Sequence, residues 1–240
     1  MSFLPHFGLV QRSGGFLSAP DLRGFGQGAR LTASFNPDRF HPDLFKALNL
    51  QAPNRMDSWT TSRQAEFLAG RLLAAIGQGA LGLSSGQVLV GPDRAPRWPR
   101  SVTGSISHAN RHCACIVLPR GNGNPGIDVE TVALESKLKA LQAKAMTVGE
   151  RARLTSAPDP ALFSTLIFSA KETLFKALYP TVQRFFGFHC AELASAPGTA
   201  HLTLALTEML HPDLPRGLCF DVAYEVKDET VLTWMVHETG

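Results

Sequence analysis

The chain has 240 residues, 44% of them hydrophobic and 18% charged, a balance typical of a folded globular protein and not of a disordered one. Its 23 Lys and Arg against 20 Asp and Glu give a net charge of +3, which by itself is too small to indicate nucleic-acid binding. The N-terminal stretch lacks the pattern of a signal peptide, and no apolar run approaches the roughly 18 residues that span a bilayer, so we expect a cytoplasmic protein without a membrane segment.

The four cysteines are expected to stay reduced in that compartment. Cys113 and Cys115 have C-x-C spacing and not the C-x-x-C of common zinc sites, while Cys190 and Cys219 are isolated in sequence. Free cysteines are usually buried, so we interpret all four as small buried strand residues and not as metal ligands.

The first half of the chain carries one strong helix signal followed by strand signals. The stretch 60–81 has the apolar spacing of a helix, and Thr61 with Gln64 predicts a capping box at its start. A weaker helix signal lies at 41–50. VTGSISH and HCACIVLP then predict two strands joined by a polar turn at 109–111, and GIDVE predicts a third strand.

The second half repeats this order of helix and then strands. Helices are predicted around 132–146, from Thr147 onward, and in FSAKETLFKALYP, which we expect to end at Pro180. Four strand signals follow: FHCAELA, AHLTLALT, LCFDVAYEV and TVLTWMVHE. The pattern favours an α+β protein of two similar halves, each a helix with an antiparallel sheet, that meet near 124–126.

Two acids in the third predicted strand are the first candidates for chemistry. Asp128 and Glu130 are two residues apart, so a strand places them on one face. One interpretation is an edge strand with a solvated face. The other is a Mg²⁺ site, because Mg²⁺ takes oxygen ligands, usually one or two carboxylates together with phosphate oxygens.

FSAKETLFKAL adds a third acid and a cation. Ser169 and Glu172 have the spacing of a capping box, and Glu172 and Lys176 that of a surface ion pair. The remaining residues are mostly apolar, so Glu172 and Lys176 share one polar stripe. That stripe suits a metal-bound phosphate. Thr147 and Glu150 repeat the capping spacing, and there we favour the capping interpretation.

Arginines provide the remaining candidates. Arg63 and Arg71 are eight residues apart, which places them about 80° apart around a helix axis. They are interpreted either as ordinary surface residues or as a binding site for a phosphate. Another hypothesis, an RNA- or DNA-binding domain, rests only on the cluster of Arg94, Arg97 and Arg100. No stacking-aromatic motif accompanies this cluster.

Common catalytic motifs are missing from the sequence. Ser107 and His108 are adjacent, so in a strand they face opposite ways and do not suit a nucleophile–base pair. The chain also contains neither G-x-S-x-G nor the phosphate-binding G-x-x-x-x-G-K-[ST] loop.

Four stretches in order, RQAEFLAGR, PRWPRSVTGSISH, GIDVE and FSAKETLFKA, resemble the phosphopantetheinyl transferase superfamily. The resemblance is to its longer single-chain type, which includes the enterobactin-synthase transferases, and it covers residues 63–177. Some members carry a tryptophan where this chain has Phe168, which supports the enterobactin type.

The resemblance implies a Mg²⁺-dependent holo-[acyl-carrier-protein] synthase. Such an enzyme moves the 4′-phosphopantetheine arm of coenzyme A to a serine of an apo carrier protein and releases adenosine 3′,5′-bisphosphate. It implies two α+β halves related by pseudo-twofold symmetry: residues 1–125 with the coenzyme A phosphate contacts, and residues 126–240 with the Mg²⁺ site and the catalytic helix. It also implies a monomer; siderophore, nonribosomal-peptide, polyketide and fatty-acid carriers all fit, and the enterobactin type favours the first two.

The same resemblance assigns roles to individual residues. It implies Asp128, Glu130 and Glu172 as metal ligands, Glu172 also as the base for the carrier serine, and Lys176 as the contact to the reacting phosphate, with Asp128, Glu172 and Lys176 forming the catalytic set. Glu150 is left with a structural role. The coenzyme A contacts implied are Arg63, Arg71, Arg94 (or Arg97 in a shifted register), Ser107, His108 and Lys176.

The rival from another class is a non-catalytic coenzyme A- or carrier-binding protein on the same scaffold. The intact acids and Lys176 argue against it, because a site that has lost its activity usually loses such residues.

Overall fold

The computed structural model describes residues 7–83, 86–92 and 94–238, and the chain divides into two compact units. The first unit contains the described residues up to Pro125 together with Glu238, and the second contains Gly126–His237. Each unit has one long helix packed on an antiparallel sheet, which confirms the predicted α+β class. The pseudo-twofold relation between the halves stays a prediction.

The first unit is built on a four-stranded antiparallel sheet, ordered β1-β2-β6-β5. The β5–β6 hairpin turns at Asn110 and Arg111, both with positive φ, where a polar turn was predicted. Strands β1 and β2 were not predicted, because glycines interrupt the apolar alternation there. The elements are α1 (Phe7–Arg12), β1 (Asp21–Phe25), β2 (Gly28–Ser34), α2 (Asp43–Ala47), α3 (Thr61–Ala80), β3 (Leu89–Val90), β4 (Pro96–Arg97), β5 (Val102–Ala109) and β6 (His112–Pro119).

Helix α3 covers this sheet, and its start differs from the prediction by one residue. Thr60 is the N-cap and its hydroxyl accepts the N–H of Arg63, so the predicted capping box of Thr61 and Gln64 is wrong. The Gln64 amide instead donates to the carbonyls of Met56 and Trp59, in the turn before the helix. The apolar face of α3, including Leu68, Leu72 and Ile76, is buried with the core of the unit.

The second unit has a five-stranded sheet ordered β7-β11-β10-β9-β8, so β7 lies at its edge. Helix α6 packs on β11 and β10 and on helix α4. All four strands predicted for the end of the chain are present. The elements are β7 (Asn124–Thr131), α4 (Glu135–Ala145), α5 (Val148–Ala152), α6 (Pro160–Val182), β8 (Ala191–Leu193), β9 (His201–Leu206), β10 (Cys219–Lys227) and β11 (Thr230–His237).

Helix α6 corrects two predictions. It begins at Pro160, capped by Asp159, whose carboxylate accepts the N–H groups of Ala161 and Leu162, so Ser169 lies mid-helix and caps nothing. The helix also continues past Pro180 to Val182. A proline in the last turn removes only one N–H, and Gln183 in the left-handed conformation closes the helix by donating to the Tyr179 carbonyl at 2.8 Å.

The cysteine prediction is half correct. Cys113 and Cys115 are buried on β6 and unpaired, as predicted for small core residues. Cys190 is only partly buried and Cys219 is exposed, because both lie at the margin of the second unit's sheet. No helix within the described ranges is both long and apolar enough to cross a bilayer.

Candidate active site

Strand β7 places Asp128 directly against helix α6. A Cβ on Gly126 would overlap the backbone carbonyl of Thr173, so only glycine permits this approach of strand to helix. Two residues further along the strand, Asp128 is 3% exposed. The interpretation of this segment as an edge strand with a solvated face is therefore wrong at Asp128, although β7 is an edge strand.

Asp128 is held by two side chains from α6. Lys176 Nζ lies 2.7 Å from Asp128 Oδ1 and donates also to the Ile127 carbonyl at 3.0 Å. Ser169 Oγ donates to Asp128 Oδ2 at 2.8 Å. The Lys176 side chain is 24% exposed and that of Asp128 only 4%, so we call Lys176–Asp128 the open pair.

Glu130 and Glu172 complete a group of three acids with Asp128, the carboxylate cluster. Burial, followed by the charge of Asp128, raises the pKa of Glu130 to about 7, and Glu172 adds to the rise while Lys176 and Lys144 oppose it. Burial also raises the pKa of Glu172, with Lys176 and Lys144 opposing and Asp128 adding. The acids predicted to act together are therefore close enough to repel one another.

The carboxylate cluster has the chemistry of a metal site but not the arrangement of one. Over the part of the chain that the structure describes, no group of three His, Cys, Asp or Glu side chains is arranged to hold a metal ion. In this arrangement Lys176 and Ser169 engage both oxygens of Asp128. The donor chemistry nevertheless fits Mg²⁺, because hard carboxylate oxygens that repel one another are stabilised by a divalent cation.

A second lysine–acid pair lies on the same helix. Lys171 Nζ is 2.7 Å from Glu150 Oε2 and donates to the Ala145 carbonyl at 2.9 Å, and the two side chains are 2% and 1% exposed. Glu150 also accepts the N–H of Thr147, in the predicted capping box, and that of Leu193. Burial lowers the pKa of Lys171, and Glu150 offsets part of this effect. We call Lys171–Glu150 the sealed pair.

A cavity of about 590 Å³, including its open mouth, lies beside Glu172. Lys144 stands at this cavity with its ammonium 5.7 Å from the ring centroid of Phe168 and 5.3 Å from that of Phe188. We call this space the phenylalanine cavity. Its lining residues are Lys144, Lys171, Glu172, Leu174, Phe175, Phe185, Phe186, Gly187, Phe188 and Ala191.

In the first unit the structure brings Arg63 and His108 together. Arg63 Nη1 lies 3.0 Å from His108 Nε2, and Glu66 Oε2 lies 3.5 Å from both Arg63 Nη1 and His108 Nδ1. The imidazole therefore accepts from Arg63 when its proton is on Nδ1, facing Glu66. The Arg63 guanidinium also lies 5.8 Å from the Trp59 ring centroid. Arg63 is therefore an exposed cation that His108, Glu66 and Trp59 hold in place.

Arg71 lies in a different environment from Arg63. It is 8% exposed, its Nε donates to the Val88 carbonyl at 2.6 Å, and its guanidinium stacks 4.3 Å from the Phe67 centroid. Burial lowers its pKa to about 10, so it remains charged at neutral pH. Much of its bonding supports the segment before β3, and the interpretation of both arginines as surface residues is wrong for Arg71.

The other predicted coenzyme A contacts lie on β5 and the β3–β4 hairpin. Ser107 is 7% exposed, next to His108 on β5. Arg94 is exposed at the hairpin turn with φ of 69°, and Arg97 is exposed on β4, paired with Leu89. Both arginines are accessible, so the choice between them stays open.

Comparison with known proteins supplies the family. A model of the 4′-phosphopantetheinyl transferase N-terminal domain matches residues 54–118, and one of the 4′-phosphopantetheinyl transferase superfamily matches residues 124–223. Enterobactin synthase component D of Salmonella typhi is 33% identical over 175 residues, which cover 72% of this chain and 70% of the relative. This chain belongs to the 4′-phosphopantetheinyl transferase superfamily.

Two further relatives from this superfamily are similar to this chain. Enterobactin synthase component D of Escherichia coli K12 is 30% identical over 178 residues, 73% of this chain and 78% of the relative. The 4′-phosphopantetheinyl transferase Svp of Streptomyces mobaraensis is 33% identical over 146 residues, 60% of this chain and 59% of the relative. The predicted family is thereby confirmed.

Sequence reasoning missed several residues around the transferase motifs. Lys144 was not considered, since it lies outside every motif; Phe185 and Phe186 were assigned to no element, and Phe188 was taken as the start of the predicted strand FHCAELA. Their clustering in FFGF just after a strong helix was the one available signal. Lys171 lay within a quoted motif, but nothing in the sequence indicated its partner Glu150.

Proposed function

We propose that this chain is a Mg²⁺-dependent enzyme that transfers the 4′-phosphopantetheine arm of coenzyme A to a serine of an apo carrier protein. Phosphopantetheine transfer is the function of the superfamily to which the chain belongs. The observation that carries the finer proposal is the open pair within the carboxylate cluster, next to the phenylalanine cavity.

The reaction replaces one phosphorus–oxygen bond by another. The carrier serine oxygen attacks the phosphorus that bears the pantetheine arm, and the bond from that phosphorus to the bridging oxygen breaks. Adenosine 3′,5′-bisphosphate leaves with the bridging oxygen, and the serine proton passes to a base. Catalysis of such a transfer depends mainly on positioning and on neutralising the charge that develops on oxygen.

Glu172 suits the role of the base. Its pKa is raised by burial and by Asp128, so the carboxylate accepts a proton more readily than an exposed glutamate does. It also lines the phenylalanine cavity, where the arm of the substrate would lie. Proton acceptance and metal ligation compete for this one carboxylate. We assign both roles to Glu172, at different stages of the reaction.

Lys176 suits the role of a cation for the reacting phosphate. Its side chain is 24% exposed while its ammonium is fixed by Asp128 and the Ile127 carbonyl. A partly exposed ammonium that its neighbours hold in place can attract a phosphate oxygen of the substrate as a point charge. Asp128 therefore orients Lys176 in addition to serving as a metal ligand.

Asp128, Glu130 and Glu172 are the residues that would hold Mg²⁺. When bound, Mg²⁺ neutralises charge on the pyrophosphate and makes the bisphosphate a better leaving group. The raised pKa of Glu130, about 7, supports a cation here, because burial and then the charge of Asp128 disfavour its ionised form and a bound cation would offset both effects.

Coenzyme A carries further phosphates, and the first unit provides cations for them. We assign Arg63, His108 and Ser107 to these phosphates, with Arg94 or Arg97 from the hairpin. Arg71 contributes by supporting the hairpin through the Val88 carbonyl and by its own buried charge. A guanidinium fixed by neighbours loses less freedom on binding phosphate than a free side chain does.

The phenylalanine cavity suits the pantetheine arm. The arm is a slender chain of apolar segments with two amides, and the cavity offers aromatic walls with Lys144, Lys171 and Glu172 as polar groups. We further propose a monomeric, cytoplasmic enzyme that modifies carrier proteins of siderophore, nonribosomal-peptide or polyketide synthesis.

The decisive experiment incubates the purified chain with coenzyme A, Mg²⁺ and a panel of apo carrier proteins, followed by intact-mass spectrometry. A mass gain of one phosphopantetheine group on a carrier, lost with Glu172→Gln and retained with the exposed control Glu135→Gln, supports the proposal. Coenzyme A binding without any mass gain across the panel would favour the non-catalytic binding protein. Full activity in the presence of a chelator would reject the Mg²⁺ mechanism.

A further inference from the structure

Behind Asp128 lies a chain of three buried hydroxyl groups. Ser169 Oγ, which bonds Asp128 Oδ2 at 2.8 Å, is 2.9 Å from Thr233 Oγ1, and that oxygen is 2.6 Å from Thr173 Oγ1. Ser169, Thr173 and Thr233 are each 0% exposed. All three distances lie within the usual range for O–H···O hydrogen bonds.

The direction of this chain follows from counting protons. Each hydroxyl has one proton, and an ionised carboxylate only accepts, so the Ser169 proton goes to Asp128. Thr233 then donates to Ser169, and the single Thr173 proton is shared between Thr233 Oγ1 at 2.6 Å and the Thr233 carbonyl at 3.2 Å. Three donors thus point in sequence toward one carboxylate oxygen, and such chains strengthen each member by polarisation.

The arrangement differs from the usual behaviour of hydroxyl residues in this same helix. Ser164 donates to the Pro160 carbonyl at 2.7 Å and Thr165 to the Ala161 carbonyl at 2.8 Å, each four residues back along α6. That back-bonding is common for buried Ser and Thr in helices. Ser169 and Thr173 instead reach across to Thr233 on β11, the strand beside β7.

We propose that Ser169 and Thr233 are positioning residues that fix the orientation of the Asp128 carboxylate. Ser169 holds Oδ2 from one side while Lys176 holds Oδ1 from the other, so the carboxylate plane cannot rotate. Thr233 in turn fixes the Ser169 hydroxyl, and Thr173 fixes Thr233. The inference rests on the proposed function, in which Asp128 is a Mg²⁺ ligand and orients Lys176.

The test compares Thr233→Val and Ser169→Ala with two matched controls, Thr165→Val and Ser164→Ala. The controls remove a buried hydroxyl from α6 by the same chemical changes but leave the hydrogen bonds of Ser169, Thr233 and Thr173 behind Asp128 intact. Mg²⁺ alone is titrated into each variant while its thermal unfolding temperature is followed, and kcat and KM for coenzyme A are measured with one apo carrier. Thr233→Ser, which restores the hydroxyl, is the rescue variant.

We expect Thr233→Val and Ser169→Ala to raise the Mg²⁺ concentration of the half-maximal thermal shift by about tenfold, the effect typical of removing an outer-shell partner. We also expect kcat to fall by about tenfold while KM changes little, and Thr233→Ser to restore both values. The controls should match the wild type in Mg²⁺ response even where their stability drops.

Each other outcome has a definite meaning. Test variants whose Mg²⁺ midpoints equal those of the controls, in an active and Mg²⁺-responsive wild type, would overturn the inference alone. A wild type that shows transfer but no Mg²⁺ response would overturn both the metal assignment and this inference. Should Thr233→Val not fold, the comparison of Ser169→Ala with Ser164→Ala decides.

Discussion

Helix α6 carries two lysines five residues apart, and each makes a 2.7 Å contact with a carboxylate. In the sealed pair, Lys171 and Glu150 are 2% and 1% exposed, and backbone groups take up much of the remaining bonding capacity of both. In the open pair, Lys176 is 24% exposed and two further acids stand near Asp128. Distance alone therefore does not distinguish a structural ion pair from a functional one.

The difference shows which property matters for chemistry. The sealed pair connects α6 to the end of α4, the start of α5 and β8, so it holds these elements together. The open pair leaves part of the Lys176 side chain exposed next to acids that repel one another. Exposure and neighbouring like charges, and not pairing itself, distinguish the open pair, for which we propose a role in catalysis.

The largest expected effect comes from breaking the sealed pair. Lys171→Met leaves the Glu150 carboxylate buried without its cation, and we expect a loss of about 3–5 kcal/mol in the free energy of unfolding. Urea unfolding measures it, with the exposed Lys139→Met as control. A second variant that also carries Glu150→Gln should recover part of the loss. A Lys171→Met protein as stable as the control would show that the pair does not hold the unit together.

Breaking the open pair should reverse this balance of effects. Lys176→Met removes the proposed phosphate contact, and we expect kcat/KM for coenzyme A to fall by about 100-fold, the size of effect seen when one preorganised charge donor is lost. Stability should fall by only about 1–2 kcal/mol, because water can reach Asp128 through the space left by the side chain. Equal losses of stability in Lys176→Met and Lys171→Met would remove the distinction between the pairs.

Both residues of the open pair were candidates from the sequence, although their contact with each other was not predicted, and the sealed pair was not predicted at all. Strand periodicity placed Asp128 and Glu130 on one face, and the apolar remainder of FSAKETLFKAL isolated Glu172 and Lys176 on one stripe. Glu150 was correctly predicted to cap its helix. Its second role, as partner of Lys171 21 residues later, depends on how α4 and α5 fold back on α6, which no local pattern encodes.

Two of the wrong predictions, for Ser169 and for the exposure of Asp128, have one physical cause: tertiary packing overrides the local signal. The capping pattern at Ser169 is real, but 23 residues of continuous helix bury it at the centre of α6. There its hydroxyl finds Asp128 and Thr233, the latter 64 residues away. Pro180 is tolerated because the helix ends within one turn of it. The edge position of β7 did not expose Asp128, because α6 covers that part of the strand.

A smaller effect should appear in the pH dependence of stability. The pKa of Glu130 is about 7 in the folded protein and 4.5 ordinarily, so between these values the unfolded chain loses its proton first. The free energy of unfolding should therefore fall as pH rises through this window. Allowing for the partial exposure of Glu130, we expect a fall of about 1–2 kcal/mol in the absence of Mg²⁺.

Urea unfolding at pH values of about 5 and 8 measures this fall, with Glu130→Gln as the test and Glu135→Gln as the control. Other groups contribute to both, so the difference between the two variants isolates Glu130. Mg²⁺ added at the higher pH should restore the stability of the control but not that of Glu130→Gln. Identical pH profiles for the two variants would contradict the placement of Glu130 in the carboxylate cluster.

The smallest effect concerns Lys144, whose charge acts on Glu130 and Glu172, the two acids near the open pair. Its ammonium lowers the pKa of both Glu130 and Glu172, so Lys144→Met should raise both pKa values. If Glu172 must be ionised to accept the serine proton, the acid limb of the kcat/KM profile moves to higher pH, while the rate on the alkaline plateau stays nearly constant. We expect about a two- to fivefold loss at slightly acid pH, consistent with one partly screened charge.

Lys139→Met, which removes an exposed lysine from the same helix, should leave the profile in place. A loss that is equal at all pH values would assign Lys144 to binding in the phenylalanine cavity and not to the charge balance of the carboxylate cluster.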